Sequence, residues 1–283
     1  MLFMVLAGLC FTLLDTTAKH LSSHLPVPFI TWVRYMVHFV FMLVLLRRAG
    51  IEGLLHAPRP ALQLTRGFML LLTTGFAMAA MSTLPMAETL AIAFLAPLIV
   101  VLAAIPMLGE RPSPRVVMAA CAGFAGVLMI VRPGGAMVGP GLAFAFATAL
   151  VYATYQLLTR LLAANTSPVT LLYFTAFAGA VGASLAVPFF WPQGAISALD
   201  WLLLCSLGLY GGGGHFLLIH AFRRAPASTL SPLLYTQLIW QSMAGALFFN
   251  HIPDGWAITG ALVIAASGVM VLLAPHKKQD TPT

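Results

Sequence analysis

The chain has 283 residues, of which 60% are hydrophobic and only 7% charged, against about 25% charged in an ordinary soluble domain. Fourteen basic and seven acidic side chains cannot solvate a surface of this size, so a soluble enzyme is excluded and most of the surface faces lipid. The formal charge of +7 is scattered between apolar runs, which sets nucleic acid aside and gives those charges a role in membrane orientation.

Apolar stretches long enough to cross about 30 Å of hydrocarbon as helices recur along the chain. In order they cover 1–20, 28–47, 62–83, 85–108, 115–132, 139–162, 168–191, 199–222, 226–249 and 254–274. The first has no basic leading segment and no small-residue cleavage signature, so it reads as a retained span. The polar turn Gly109-Glu110-Arg111-Pro112-Ser113-Pro114 divides the fourth from the fifth. Continuous rather than alternating runs exclude a transmembrane barrel. Cys10, Cys121 and Cys205 each sit in an apolar stretch without a CxxC pair, so they read as small buried hydrophobes, and no disulfide framework or metal site is expected.

The charges sort by side. Arg47, Arg48, Arg59, Arg66, Arg111, Arg115, Arg160, Arg223, Arg224, Lys277 and Lys278 fall on one side, Lys19 and Arg132 on the other, and Arg34 lies inside the second span. The positive-inside rule then puts both termini in the cytoplasm.

The halves also repeat. An offset of 140 carries Pro28 onto Pro168, one of 141 carries Pro85 onto Pro226 and Pro112 onto Pro253, and one of 142 carries Gly126-Val127 onto Gly268-Val269 and Pro133 onto Pro275. An odd number of spans per copy makes the second copy enter from the opposite side. The expected fold class is all-α and integral to the membrane: ten transmembrane helices as two inverted five-helix repeats around a central cavity. The repeats are expected over 1–138 and 139–275, followed by a cytoplasmic tail at 276–283.

Pro97-Leu98-Ile99, Leu108-Gly109-Glu110-Arg111-Pro112-Ser113-Pro114 and Gly123-Phe124-Ala125-Gly126-Val127-Leu128-Met129 resemble the signature of the drug/metabolite transporter superfamily, in its ten-helix EamA-type branch of bacterial exporters. Pro232-Leu233-Leu234-Tyr235 and the stretch 260–270 repeat the pattern more loosely, so the resemblance spans the chain. Asn250-His251 stands where the first half has Gly109-Glu110, so no role for a glutamate transfers to that turn. The resemblance implies a secondary carrier in the bacterial inner membrane that exports small organic solutes, amino acids, other metabolites or drugs. The resemblance also suggests the sub-branch of aromatic amino-acid exporters, with no motif that separates it from its neighbours.

An ionisable group within a span is costly and so a functional candidate. Asp15, Lys19, Arg34 and Glu88 all fall in the outer third. Asp15 either pairs with Arg34 or faces substrate; Arg34, His38 and Glu88 form a gating or charge cluster. Thr12, Asp15, Thr16 and Lys19 make one helix face, and the repeat offset sends them to Tyr152, Tyr155, Gln156 and Thr159. Both stripes are expected to line one cavity, the alternative being hydroxyls that glue neighbouring helices. Tyr235, Gln237, Trp240 and Gln241 in the ninth span, with His215 in the eighth, complete the candidate substrate site. Gly211, Gly212, Gly213 and Gly214 serve either close packing or a hinge.

No GxxxxGK[ST] loop and no facing Ser, His and Asp set is present, so neither nucleotide-driven pumping nor intramembrane catalysis is expected, and no cofactor. The expected function is export of aromatic or other apolar amino acids, or related metabolites, by alternating access. The expected partners are a small solute, the bilayer and, in the antiport mode, protons. A multidrug or cationic-compound exporter of the same fold is the alternative, followed by a channel or lipid scramblase.

Overall fold

The structure, a computed structural model, describes residues 1–49, 57–81, 92–109, 112–131, 140–249 and 255–272. It is a helical bundle whose helices follow the expected spans: α1 (Leu2–Ser22), α2 (Val27–Ala49), α3 (Pro60–Met81), α4 (Ala96–Leu108), α5 (Pro114–Val131), α6 (Pro140–Ala163), α7 (Pro168–Ala186), α8 (Ala198–Phe222), a broken α9 and α10 (Gly255–Leu272). Among the described residues α1, α2, α6, α7 and α8 are each long and apolar enough to cross a membrane, and α4, α5 and α10 contribute shorter apolar stretches. The expected repeat boundary at 138/139, the tail at 276–283 and Glu88 lie outside the described residues.

Local chemistry sets the helix ends. Ser167 and Ser197 accept the backbone N–H of Thr170 and Asp200 at 3.1 Å, capping α7 and α8. Gly109 ends α4 with φ +65°, a left-handed conformation that glycine adopts without strain. α7 stops at Ala186 and gives way to a 3-10 turn at Val187–Phe189, shorter than the expected 168–191, because Pro188 removes a donor from the ladder.

Two spans read as continuous are interrupted. α9 is a short helix Ala227–Leu230, a 3-10 turn Ser231–Tyr235 and a helix Thr236–Phe249. The described part of the fourth span turns at Phe94 and Leu95 before α4 begins. A proline sits at each break: Pro232 within the 3-10 turn and Pro97 in the first turn of α4. The offset of 141 that relates Pro85 to Pro226 also carries Phe94 onto Tyr235, so the two breaks occupy equivalent places in the two repeats.

Helix packing obeys the same two-fold relation. α1 lies on α8 as α3 lies on α6; α9 meets α1 as α4 meets α6; α2 contacts α8 as α3 contacts α7. The self-related pairs α2 with α7, α4 with α9 and α5 with α10 meet directly. Phe94 and Tyr235, equivalent residues of the two halves, touch with ring centroids 6.1 Å apart. The inverted repeat is thus present in three dimensions, with the helix breaks at its centre.

At one rim, the Lys19 face, His24 Nε2 lies 3.1 Å from Asp200 Oδ1, and Phe29, Trp32, Trp191 and Trp201 cluster as aromatic residues do at a membrane interface. The opposite rim, where α6 ends, is called the Arg160 face below. Cys121 and Cys205 are exposed on the bundle exterior, not buried as expected; apolar side chains facing lipid gain nothing by turning inward.

α8 runs as an uninterrupted α-helix through its four glycines. A methyl on Gly208 would come within 2.6 Å of Val37, and one on Gly214 within 2.6 Å of the Phe11 ring, whereas Gly213 has nothing within 4 Å. Gly214→Ala is therefore expected to lower the melting temperature by several degrees, through about 1–3 kcal/mol of overpacking. Gly213→Ala is expected to hold or raise it, since alanine favours helix. Scanning fluorimetry of the two detergent-purified variants separates these outcomes.

Candidate functional site

Two polar clusters occupy the interior at different depths. The first centres on Asp15, seven residues and so about 10 Å from the end of α1 at the Lys19 face. Gln241 Nε2 and Gln237 Nε2 donate to its Oδ2 at 2.8 and 3.2 Å. The two glutamines share one face of the helix that follows the α9 break, which aims both amides across at α1. Asp15 Oδ1 has no hydrogen bond from any described residue. Beside it Gln241 Oε1 and Trp240 Nε1 are buried without a partner among the described residues.

Of the two readings of Asp15, the pair with Arg34 is not formed: among the described residues the only ion pair within 4.0 Å is His24 with Asp200. Two amides already hold Asp15, while the Arg34 guanidinium lies 5.3 Å from the centroid of the Tyr35 ring and against Gly211, where a methyl would come 3.2 Å from Arg34 Nε. Thr12 and Thr16 return their hydroxyl protons to α1 itself, at Gly8 O (3.0 Å) and Thr12 O (2.7 Å). Lys19 is exposed at the rim with Nζ 4.4 Å over the Phe249 ring.

The second cluster lies toward the Arg160 face. Tyr152 and Tyr155 of α6 stack at 6.0 Å with their planes 8° apart. The Tyr155 hydroxyl is 3.0 Å from Nδ1 of the buried His215, whose ring packs 4.9 Å from Phe11. Gln156 is buried next to them. His38 is buried against Gly212, its Nε2 without a partner among the described residues. Tyr235 lies apart from both clusters, filling the space that Gly123 leaves open on the two-fold axis.

Arg66 belongs to this second cluster and corrects its reading as a flanking positive charge. It lies six residues, about 9 Å, into α3 and is 0% exposed. Nε donates to Thr159 Oγ1 at 3.1 Å, and NH1 donates to Thr175 Oγ1 at 2.7 Å and Leu171 O at 3.3 Å. Its guanidinium carbon stands 5.0 Å from the centroid of the Tyr155 ring. One signal was legible: Gln63 and Arg66 are three residues apart on one helix face, and both are fully buried.

The clusters approach each other at Tyr152, which Asp15 and Arg34 are near enough to influence electrostatically. In this conformation Thr12, Tyr155, Gln156, Thr159 and His215 are all buried. Outside these clusters lie a groove at Arg115, Ala266, Val269 and Met270 and another between α9 and α10, where Ile239, Met243 and Ala246 face Ile258, Leu262 and Ala265. The groove between α9 and α10 is apolar, as a lipid-facing surface requires.

Comparison with known proteins agrees with this fold. The chain is 29% identical to a riboflavin transporter of Rhizobium johnstonii over 99% of its own length and 93% of the relative's. It is 27% identical to a pseudopaline exporter of Pseudomonas aeruginosa, covering 94% and 93% of the two chains. It is 23% identical to an S-adenosylmethionine uptake transporter of Rickettsia bellii, covering 93% and 89%. A crystal structure with 23% identity superposes with a TM-score of 0.80 over 95% of this chain and 96% of that one, which shows the same fold. The model of the EamA-like transporter family matches residues 1–132 and again 139–273. A membrane bundle of two inverted repeats, each matched by the same family model, is a small-molecule transporter, and the chain belongs to the EamA-like transporter family.

Proposed function

We propose that the protein is a secondary carrier that exports amine-bearing aromatic metabolites, aromatic amino acids among them, by rocking its two halves about a midplane site. The observation that carries this reading is the Asp15 carboxylate. It is held on one oxygen by Gln237 and Gln241, and Gln241 Oε1 beside it has no partner among the described residues. A half-buried carboxylate and a buried amide oxygen with lone pairs to spare are the acceptors an ammonium group needs. The stacked Tyr152 and Tyr155 supply flat apolar faces for the ring of the solute.

The relatives support a solute of this kind, since riboflavin and S-adenosylmethionine both carry a flat nitrogen heterocycle joined to polar groups. The outward direction follows the likeness to the pseudopaline exporter. Placement in the bacterial inner membrane with cytoplasmic termini rests on the excess of Lys and Arg on one side, ten of them once Arg66 is moved to the interior. Export of cationic drugs is a second reading favoured by the same residue, because Asp15 is the carboxylate that the described residues place inside the bundle.

The test is counterflow in proteoliposomes. Labelled L-tryptophan is expected to accumulate in a saturable way when unlabelled L-phenylalanine or L-tyrosine is trapped inside. Ethidium in place of the amino acids tests the cationic reading. Linear flux with no stimulation by any trapped aromatic amine would overturn the carrier assignment and favour a channel or scramblase. Repeating the assay with an imposed pH gradient distinguishes proton antiport, which accelerates, from facilitated flux, which does not.

A further inference from the structure

Where α5 begins and α10 ends, on the rim that carries the Lys and Arg excess, the two helices leave a groove of about 360 Å³ lined by Arg115, Ala266, Val269 and Met270. Arg115 lies in the first turn of α5 and is exposed, and among the described residues it makes no hydrogen bond and no ion pair. Met118, one turn further along α5, and Val269 are exposed as well, so the groove opens on the outside of the bundle, where lipid lies. A guanidinium one turn from a helix end reaches headgroup depth while its stem rests on apolar surface.

The rest of the bundle exterior does not repeat this arrangement. The offset of 141 that carries Pro112 onto Pro253 carries Arg115 onto Trp256, so the equivalent place at the opposite rim has an aromatic ring, which suits an interface without selecting charge. The groove between α9 and α10 is lined by uncharged residues throughout.

We propose that the groove at Arg115 binds one anionic phospholipid, its phosphate on the guanidinium and an acyl chain laid along Ala266, Val269 and Met270. Charge complementarity selects this occupant. A basic residue between two transmembrane helices, on the side that the positive-inside rule assigns to the cytoplasm, meets the leaflet that carries the anionic lipids. Guanidinium and phosphate pair through two parallel charge-assisted bonds. A zwitterionic headgroup offers the same phosphate but brings its own cation to compete for it. Because α5 belongs to one repeat and α10 to the other, a lipid seated there touches both halves of the chain. The proposal is independent of which solute is carried.

The test is thermal unfolding of the purified protein in mixed micelles of phosphatidylglycerol or phosphatidylcholine with the same acyl chains. Phosphatidylglycerol is expected to raise the wild-type transition by about 2–4 °C more than phosphatidylcholine does. Arg115→Gln is expected to lose that difference and Arg115→Lys to keep part of it. Ala266→Phe, which fills the groove and leaves the charge, is expected to lose it too. Arg115 and Ala266 are both exposed, so these substitutions leave the interior undisturbed. Arg223→Gln removes another exposed arginine of the same rim, outside the groove, and is expected to change nothing. Equal stabilisation of the wild type by the two lipids, a preference that survives Arg115→Gln or Ala266→Phe, or an equal loss in Arg223→Gln overturns the proposal, the last by showing attraction to the rim as a whole. Glycerol phosphate, a headgroup without chains, is expected to have no effect; stabilisation by it equal to that by the lipid overturns the proposal in favour of a soluble anion. A wild-type dimer in size exclusion that Ala266→Phe disrupts overturns it in favour of a second copy of the chain.

Discussion

Asp15→Asn is expected to lower counterflow of L-tryptophan by about tenfold to a hundredfold, with the protein still folded. A hydrogen bond to a charged group contributes about 1.5–3 kcal/mol, and each 1.4 kcal/mol is a factor of ten. Asparagine keeps the size of the side chain and an oxygen for Gln237 and Gln241 to address, now at 3.2 and 2.8 Å from the wild-type carboxylate, so the α1–α9 contact survives and only the charge is lost. Asp15→Glu restores the charge with one more methylene and is expected to recover part of the flux. Wild-type rates in Asp15→Asn would remove Asp15 from the site and with it the account of amine recognition.

The second large effect is on stability. A methyl on Gly123 would fall 2.3 Å from the Tyr235 ring, and one on Gly179 2.1 Å from the Tyr35 ring; both tyrosines are buried and neither has room to retreat. Gly123→Ala and Gly179→Ala are each expected to cost about 1–3 kcal/mol, or roughly 2–10 °C in melting temperature for a chain of this length. Gly75→Ala meets nothing within 4 Å and serves as the neutral case. Thermal unfolding in one detergent compares all three, and an unchanged transition in Gly123→Ala would contradict the packing at the two-fold axis.

The fold was legible because the bilayer leaves few choices. Unbroken apolar runs must be helices when no water is there to satisfy the backbone, and prolines recurring at offsets of 140 to 142 reveal the repeat. The breaks in the fourth and ninth spans were less visible, since Pro97 and Pro232 are equally compatible with a helix start. For the site, periodicity could show that Asp15, Tyr152, Gln237 and Gln241 share polar faces, yet could not say which face meets which. Sequence proximity of Asp15 and Arg34 on neighbouring helices suggested a pair; the structure gives Asp15 to α9 and Arg34 to α8 because partners are chosen by helix rotation, which apolar counting does not fix. Arg66 was misread for a related reason. A charge near a helix end looks the same whether it snorkels to the rim or is enclosed by neighbours.

The meeting of Phe94 with Tyr235 has a mechanical meaning. Equivalent points of two copies coincide only on the line about which one copy turns into the other, and a lever travels least at its fulcrum. In the proposed rocking cycle those two rings are therefore expected to move least, and distances at the rims, such as Lys19 to Phe249, to change most. Aromatic bulk is well spent there: a stiff bearing lets two halves of one chain swing without coming apart.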